Sequence, residues 1–280
     1  MAGKRATENR GINSRFGIII MAGALLLAVS CQNHRANRQL EYGKKLHQEG
    51  AFLEAIRNWE NILSSWPQSR CAAQALHRIG TTYYVELDQP ERALDAFARL
   101  VKNYPDSSYA PADQILVAEI YRSRRQFAQA LAEYYRFLQL FPGDSRASEV
   151  WYNLVTCLFE VGEYQAMRTQ AEELRKKFPD TEYAGDCIFW VGESYYLEKN
   201  YQPAIAMFQE YLKKFPNGPM AYKSWLSLAR SLEGEDQLKE AIQLYQELQN
   251  RYPDDKVIRS RLASASKRYQ DRFGTDKPSP

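Results

Sequence analysis

The chain has 280 residues, 45% of them apolar and 13% aromatic, which excludes intrinsic disorder and leads us to expect one or two folded domains. Its formal charge of +3 arises in the first 30 residues, where Lys4, Arg5, Arg10 and Arg15 stand against Glu8 alone, and the remainder carries equal numbers of basic and acidic side chains. Such a balance lacks the positive field by which proteins hold phosphate backbones, so nucleic acid is not expected as a partner.

In chain order, the first element is a targeting segment. A basic region ending at Arg15 precedes the mostly apolar run FGIIIMAGALLLAVS, Phe16 to Ser30, which stops at Cys31. A helix needs about 20 apolar residues to span a bilayer, so this shorter run reads as a signal peptide over residues 1–30. Ala28 and Ser30 ahead of Cys31 resemble a lipobox, the bacterial motif whose cysteine is diacylated and becomes the mature N-terminus; the place three residues before the cysteine, usually Leu, holds Ala28. The resemblance implies lipidation of Cys31, with an uncleaved anchor or an ordinary signal peptide as alternatives. Gln32, where lipoproteins retained at the inner membrane carry Asp, implies the periplasmic face of the outer membrane. Residues 31–36 then form a tether, and six extended residues reach about 20 Å, which keeps the folded part beside the membrane. A doubly acylated cysteine is a stable anchor where a single chain is marginal.

From there to residue 254 the chain repeats. Aromatic–proline pairs fall at Trp66-Pro67, Tyr104-Pro105, Phe141-Pro142, Phe178-Pro179, Phe215-Pro216 and Tyr252-Pro253, and successive prolines are 38, 37, 37, 37 and 37 residues apart. Within one unit, CIFWVGESYYL and AIAMFQEYLKKF each place apolar residues at helical spacing and are separated by EKNYQP. The unit is a pair of amphipathic helices. Pro179 ends one unit, since proline lacks the amide hydrogen and disfavours helical geometry in its predecessor, and Asp180 or Thr181 is expected to cap the amides of the next helix.

Small residues recur in the first helix at Gly43, Gly80, Ala118, Gly192 and Ala229, and in the second at Ala55, Ala93, Ala130, Ala204 and Ala241. Aromatics follow at Trp59, Phe97, Tyr134, Phe208 and Tyr245. This pattern resembles the tetratricopeptide repeats, and five of six units fit it. The fourth carries Val155 and Met167 at the small places and Ala171 at the aromatic one, which exchanges large for small across the contact or marks a bend. The resemblance implies an all-α fold, a right-handed superhelical solenoid of six tetratricopeptide-like helix pairs over residues 37–254. Residues 255–273, with Val257, Ile258, Leu262 and Tyr269 on one face, supply the C-terminal capping helix that an open-ended array needs, and residues 274–280 a disordered tail.

Three cysteines besides Cys31 remain, Cys71, Cys157 and Cys187, with no metal-ligand spacing; they read as buried apolar residues, a Cys157–Cys187 bridge being the alternative. The only histidines are His34, His47 and His77, and no HExxH, GxGxxG or phosphate loop occurs, so a binding scaffold without cofactor or metal is expected rather than an enzyme. Alignment of the units with the repeats they resemble implies a groove wall of His77, Tyr84, Tyr152, Phe159, Phe189 and Tyr196, with Thr81, Glu119, Thr156, Glu193 and Arg230 among them. Aromatic rings there suit an extended peptide or a partner's apolar edge, the alternative being that some only pack against the neighbouring helix.

A lipid-anchored array with FPxSxYA-type punctuation resembles the BamD-type lipoproteins. That resemblance implies protein partners, a β-barrel assembly subunit docked by the later repeats and unfolded outer-membrane proteins met by the earlier ones. Six evenly sized units without an enlarged middle insertion depart from that family and leave open a lipoprotein adaptor for cell-wall, division or pilus machinery.

Overall fold

The computed structural model describes residues 32–253 and 255–274; Cys31, the targeting segment and the tail beyond Gly274, with the expectations placed on them, lie outside the described residues. Among the described residues the chain is helical, without a strand. The helices are α1 (residues 32–48), α2 (Phe52–Ser65), α3 (Arg70–Thr81), α4 (Pro90–Asn103), α5 (Ala110–Ser123), α6 (Phe127–Leu140), α7 (Ala147–Glu160), α8 (Tyr164–Lys177), α9 (Glu182–Leu197), α10 (Tyr201–Lys214), α11 (Ala221–Gly234), α12 (Leu238–Arg251) and α13 (Lys256–Phe273). Odd and even helices alternate as the first and second members of successive pairs. The chain divides into two compact units, Met1–Arg124 with α1 to α5 and Arg125–Pro280 with α6 to α13. The sequence period runs through Arg125 without a break, so this division carries no mark in the spacing.

In the α1–α2, α3–α4 and α9–α10 pairs the contact is the one the small residues imply. In the first unit, a methyl group added to Gly43 or Gly80 would overlap the indole of Trp59 or the ring of Phe97. In the second, one added to Gly192 would lie 2.7 Å from Cε1 of Phe208. All five second-helix alanines and all five aromatics after them are fully buried. Val155, Met167 and Ala171 of the fourth pair are fully buried too, so the exchanged volumes still fill a core.

Each pair turns through one residue with a left-handed backbone, at Gly50, Asp88, Arg125, Gly162, Lys199 and Asp236, with φ between 50° and 82°. Around Gly162 the amide of Glu163 donates to the Leu158 carbonyl at 3.0 Å and that of Gly162 to Phe159 at 3.0 Å, the double bond that closes a helix C-terminus. Only two of the six places hold the residue that adopts this geometry without steric cost.

The single spacing of 38 has a local cause. Gly43 and Gly80 are 37 apart, Gly80 and Ala118 are 38 apart, and the extra residue is taken up in a π-helical turn over Thr82–Glu86. There the Leu87 amide reaches back five residues to the Thr82 carbonyl at 3.1 Å.

Three local expectations are corrected. Residues 32–36 are not an extended tether but the start of α1, because Ala36 and Leu40 bury one helical face. Thr181 does not cap α9 with its side chain: its hydroxyl donates to the Phe178 carbonyl at 2.9 Å, closing the turn behind it, and no side chain caps that helix. Asp255 is the residue that does cap, accepting from the amides of Val257 at 2.8 Å and Ile258 at 3.2 Å. On the terminal helix, Ile258 and Ala265 are fully buried against the last pair, whereas Val257 faces solvent.

Candidate functional site

In the second unit the first helices α7, α9 and α11 pack side by side, and their facing residues form a ladder of aromatic and polar contacts. The Trp190 indole donates to the Tyr152 hydroxyl at 3.0 Å, and its ring centroid is 4.8 Å from that of Phe159. Tyr183 lies 5.1 Å from Tyr152. One step along, the Arg230 guanidinium lies over the Tyr196 ring at 4.3 Å, a geometry worth about 0.5–1 kcal/mol at an exposed site and more when desolvated. Beside it the Ser227 hydroxyl donates to the Glu193 carboxylate. Tyr152, Phe159, Trp190, Tyr196 and Arg230 are all half-buried, so part of each side chain remains open to solvent.

Phe189 is the exception. It is 4% exposed and packs at 6.0 Å from Phe208 of α10, because it sits on the face of α9 turned towards the second helix. The half-buried ring at this level is its neighbour Trp190. The sequence did carry a signal for it, an aromatic pair at 189 and 190 of which the buried core accommodates one member.

In the first unit the expected wall residue His77 lies on α3 and meets residues of α5 and its N-terminus. The Nδ1 of His77 is 2.6 Å from Oδ1 of Asp113, and the imidazole stacks on Tyr109 with centroids 4.8 Å apart. Asp113 is fully buried, and burial pushes its carboxyl above the ordinary range, with the hydrogen bond and charge of His77 opposing the rise. Tyr84 is half-buried against the cluster of Ala93, Phe97, Val117 and Ile120. The polar residues expected on the wall do less: Thr81 and Thr156 return their hydroxyls to carbonyls of their own helices, Arg78 and Asn153, both at 3.1 Å.

Cys71, Cys157 and Cys187 are buried and form no disulfide. Burial pushes the Cys187 thiol up to about 12, which keeps it protonated and unreactive at neutral pH. Among the described residues no group of three His, Cys, Asp or Glu side chains is arranged to hold a metal ion, and no helix is long and apolar enough to cross a membrane.

Comparison with known proteins places this architecture. Residues 85–189 match the model of the YfiO family, described as outer membrane lipoprotein, and residues 186–218 and 223–255 match a tetratricopeptide repeat model. The outer membrane protein assembly factor BamD of Caulobacter vibrioides is 28% identical over 102 residues, 34% of this chain and 33% of that protein, so the matched segment spans about a third of the curated relative. Among solved structures, the C-terminal part of a tetratricopeptide repeat-containing protein from Cytophaga hutchinsonii superposes with a TM-score of 0.55 at 18% identity, covering 85% of this chain and 96% of that solved part. The MamA protein does so at 0.52 and 16%, covering 74% and 98%. These likenesses show the fold. The protein has the tetratricopeptide-repeat fold of a protein-interaction scaffold, and its sequence resembles the BamD-type outer membrane lipoproteins.

Proposed function

We propose that the protein is a lipid-anchored periplasmic scaffold on the outer membrane, anchored through Cys31 and acting as a BamD-like component in the assembly of β-barrel proteins. The observation that carries this reading is the match of residues 85–189 to an outer membrane lipoprotein family, reinforced by the lipobox-like Ala28-Val29-Ser30-Cys31. The barrel-assembly subunit and unfolded outer-membrane proteins are its partners. The half-buried rings of Tyr152, Phe159, Trp190 and Tyr196 in the second unit, and His77 and Tyr84 in the first, supply the contact surfaces. Rings with a polar edge give a partner large contact area with little rotamer entropy to lose. Depletion followed by quantification of outer-membrane β-barrel proteins tests the reading: their loss is expected, and a normal outer-membrane profile would reject it.

A second reading, a lipoprotein adaptor for cell-wall, division or pilus machinery, is favoured by the six evenly sized units without a central insertion. It predicts that partners other than a β-barrel protein co-purify.

A further inference from the structure

The second unit contains four second-helix ends, closed by Phe141, Phe178, Phe215 and Tyr252, and those at Phe178 and Tyr252 share a cation–indole pair. Trp151 of α7 lies edge-on to Phe178 at 6.2 Å, and Lys177 sits over its indole at 4.5 Å. Two periods on, Arg251 sits over the indole of Trp225 at 5.7 Å, and Tyr222 packs edge-on against Tyr252 at 4.8 Å. The equivalent cation between them is Lys214, since Lys177, Lys214 and Arg251 are spaced by 37 residues. The place of Trp151 and Trp225, however, holds Ile188 in the middle repeat, and the place of Ser148 and Tyr222 holds Gly185. The tryptophan that both flanking repeats carry is thus missing beneath Lys214, and so is the ring that Tyr222 supplies in the later one.

The result is a cavity of about 470 Å³ between the ends of α8 and α10 and the start of α9, within the range of about 300–1,000 Å³ typical of ligand sites. Its floor is Ala184, Gly185, Ile188 and Phe215, and a side chain at Gly185 would begin 2.9 Å from the Phe215 ring. Its rim carries Arg175, Lys176 and Lys214, with Glu172. Arg175 and Lys214 share a single carboxylate oxygen of Glu210, each at 2.8 Å, and Lys176 is exposed.

We infer that this cavity receives an aromatic side chain from a partner protein, seated under Lys214 where the flanking repeats seat their own tryptophans, with acidic residues beside it meeting Arg175 and Lys176. The basic rim complements carboxylates, and the apolar floor is matched in kind to a ring. The interspersed Glu172 and Glu210 can accept backbone amides of a peptide, whereas they would repel the uniform negative charge of a lipid surface. The proposal does not depend on which envelope machinery the protein serves.

Fluorescence anisotropy on the full chain in detergent tests it, using a set of labelled peptides with a central Trp, Tyr or Phe flanked by Asp, and partners with Ala at the centre or Lys at the flanks. The acidic aromatic peptides are expected to bind at least tenfold more tightly than either control. Ile188→Trp, which restores the indole of the flanking repeats, and Lys176→Glu, an exposed change that leaves the core untouched, should each weaken binding at least tenfold with the helical circular dichroism unchanged. No binding of any acidic aromatic peptide at millimolar concentration would overturn the inference. So would equal binding of the Ala-centred peptides, or an undiminished affinity in Lys176→Glu. Retention on vesicles of anionic phospholipid, lost in Lys176→Glu while the peptides fail to bind, would assign the rim to a membrane and equally overturn it.

Discussion

The close contact between Gly192 and Phe208 makes a quantitative prediction. A methyl group at residue 192 would stand 2.7 Å from Cε1 and 3.0 Å from both Cδ1 and Cζ of Phe208, so one side of the contact must give way. Overpacking of this kind costs about 1–3 kcal/mol, and replacing a helical glycine by alanine returns about 1 kcal/mol of propensity, so Gly192→Ala should destabilise by about 0–2 kcal/mol. Phe208→Ala alone empties a fully buried site and should cost about 3–5 kcal/mol. In the double variant the clash is gone while the propensity gain remains. The two changes should therefore couple favourably by about 1–3 kcal/mol, well outside the 0.3–0.5 kcal/mol within which independent sites add. The fourth repeat already contains the exchanged arrangement, with Val155 and Ala171 one period of 37 residues before Gly192 and Phe208. Urea denaturation of the four proteins, followed by far-ultraviolet circular dichroism, measures the cycle. Additive effects would refute the claim that glycine is there to admit the ring.

Asp255→Ala removes the side-chain cap of α13 and the contact from the Tyr222 hydroxyl, and should cost about 0.5–2 kcal/mol in thermal or urea melts, with hydrogen exchange accelerated in α13 before the rest of the unit. The Tyr222 hydrogen bond, with the amides of Ile258 and Val257 and the charge of Arg259, holds the Asp255 carboxyl below its ordinary range. Its contribution is then fully present above the unfolded carboxylate value and is lost as pH falls through the depressed folded one, so an acid titration should loosen α13 in wild type and not in Asp255→Ala. Lys199→Gly relieves a left-handed backbone and should stabilise by up to about 1 kcal/mol, while Gly162→Ala should destabilise by a similar amount; equal and opposite shifts in the urea midpoint are the readout. Tyr152→Ala, Trp190→Ala and Tyr196→Ala combined should lose the proposed protein partners while keeping the helical spectrum, whereas Phe189→Ala should act mainly on stability because that ring is in the core.

The helix pairs were legible because their determinants are local and recur: a proline that stops a helix, a glycine or alanine facing a ring, one aromatic per unit. Even the π-helical turn is visible as the single spacing of 38, once Gly43, Gly80 and Ala118 are counted separately. What the sequence concealed depends on tertiary choice. Thr181 has the composition of a cap, but its hydroxyl has a nearer acceptor in the Phe178 carbonyl. Phe189 and Trp190 are adjacent on a helix and about 100° apart around it, so which one reaches the wall is decided by where α10 packs. Asp113 carries no mark in the sequence that sets it apart from other acidic residues, yet it is the buried partner of His77. The cavity beneath Lys214 emerges only when the cation–indole contacts of the flanking repeats reveal what Ile188 and Gly185 replace.

The central claim is that this stack of helix pairs works by holding other proteins of the cell envelope through its first-helix rings. Purification of the native complex from detergent-extracted membranes, with wild type and the Tyr152, Trp190 and Tyr196 triple alanine variant side by side, tests it most directly. The account predicts a β-barrel protein recovered stoichiometrically with wild type and depleted with the variant. Recovery of the same partners by both proteins, or of none by either, would contradict it.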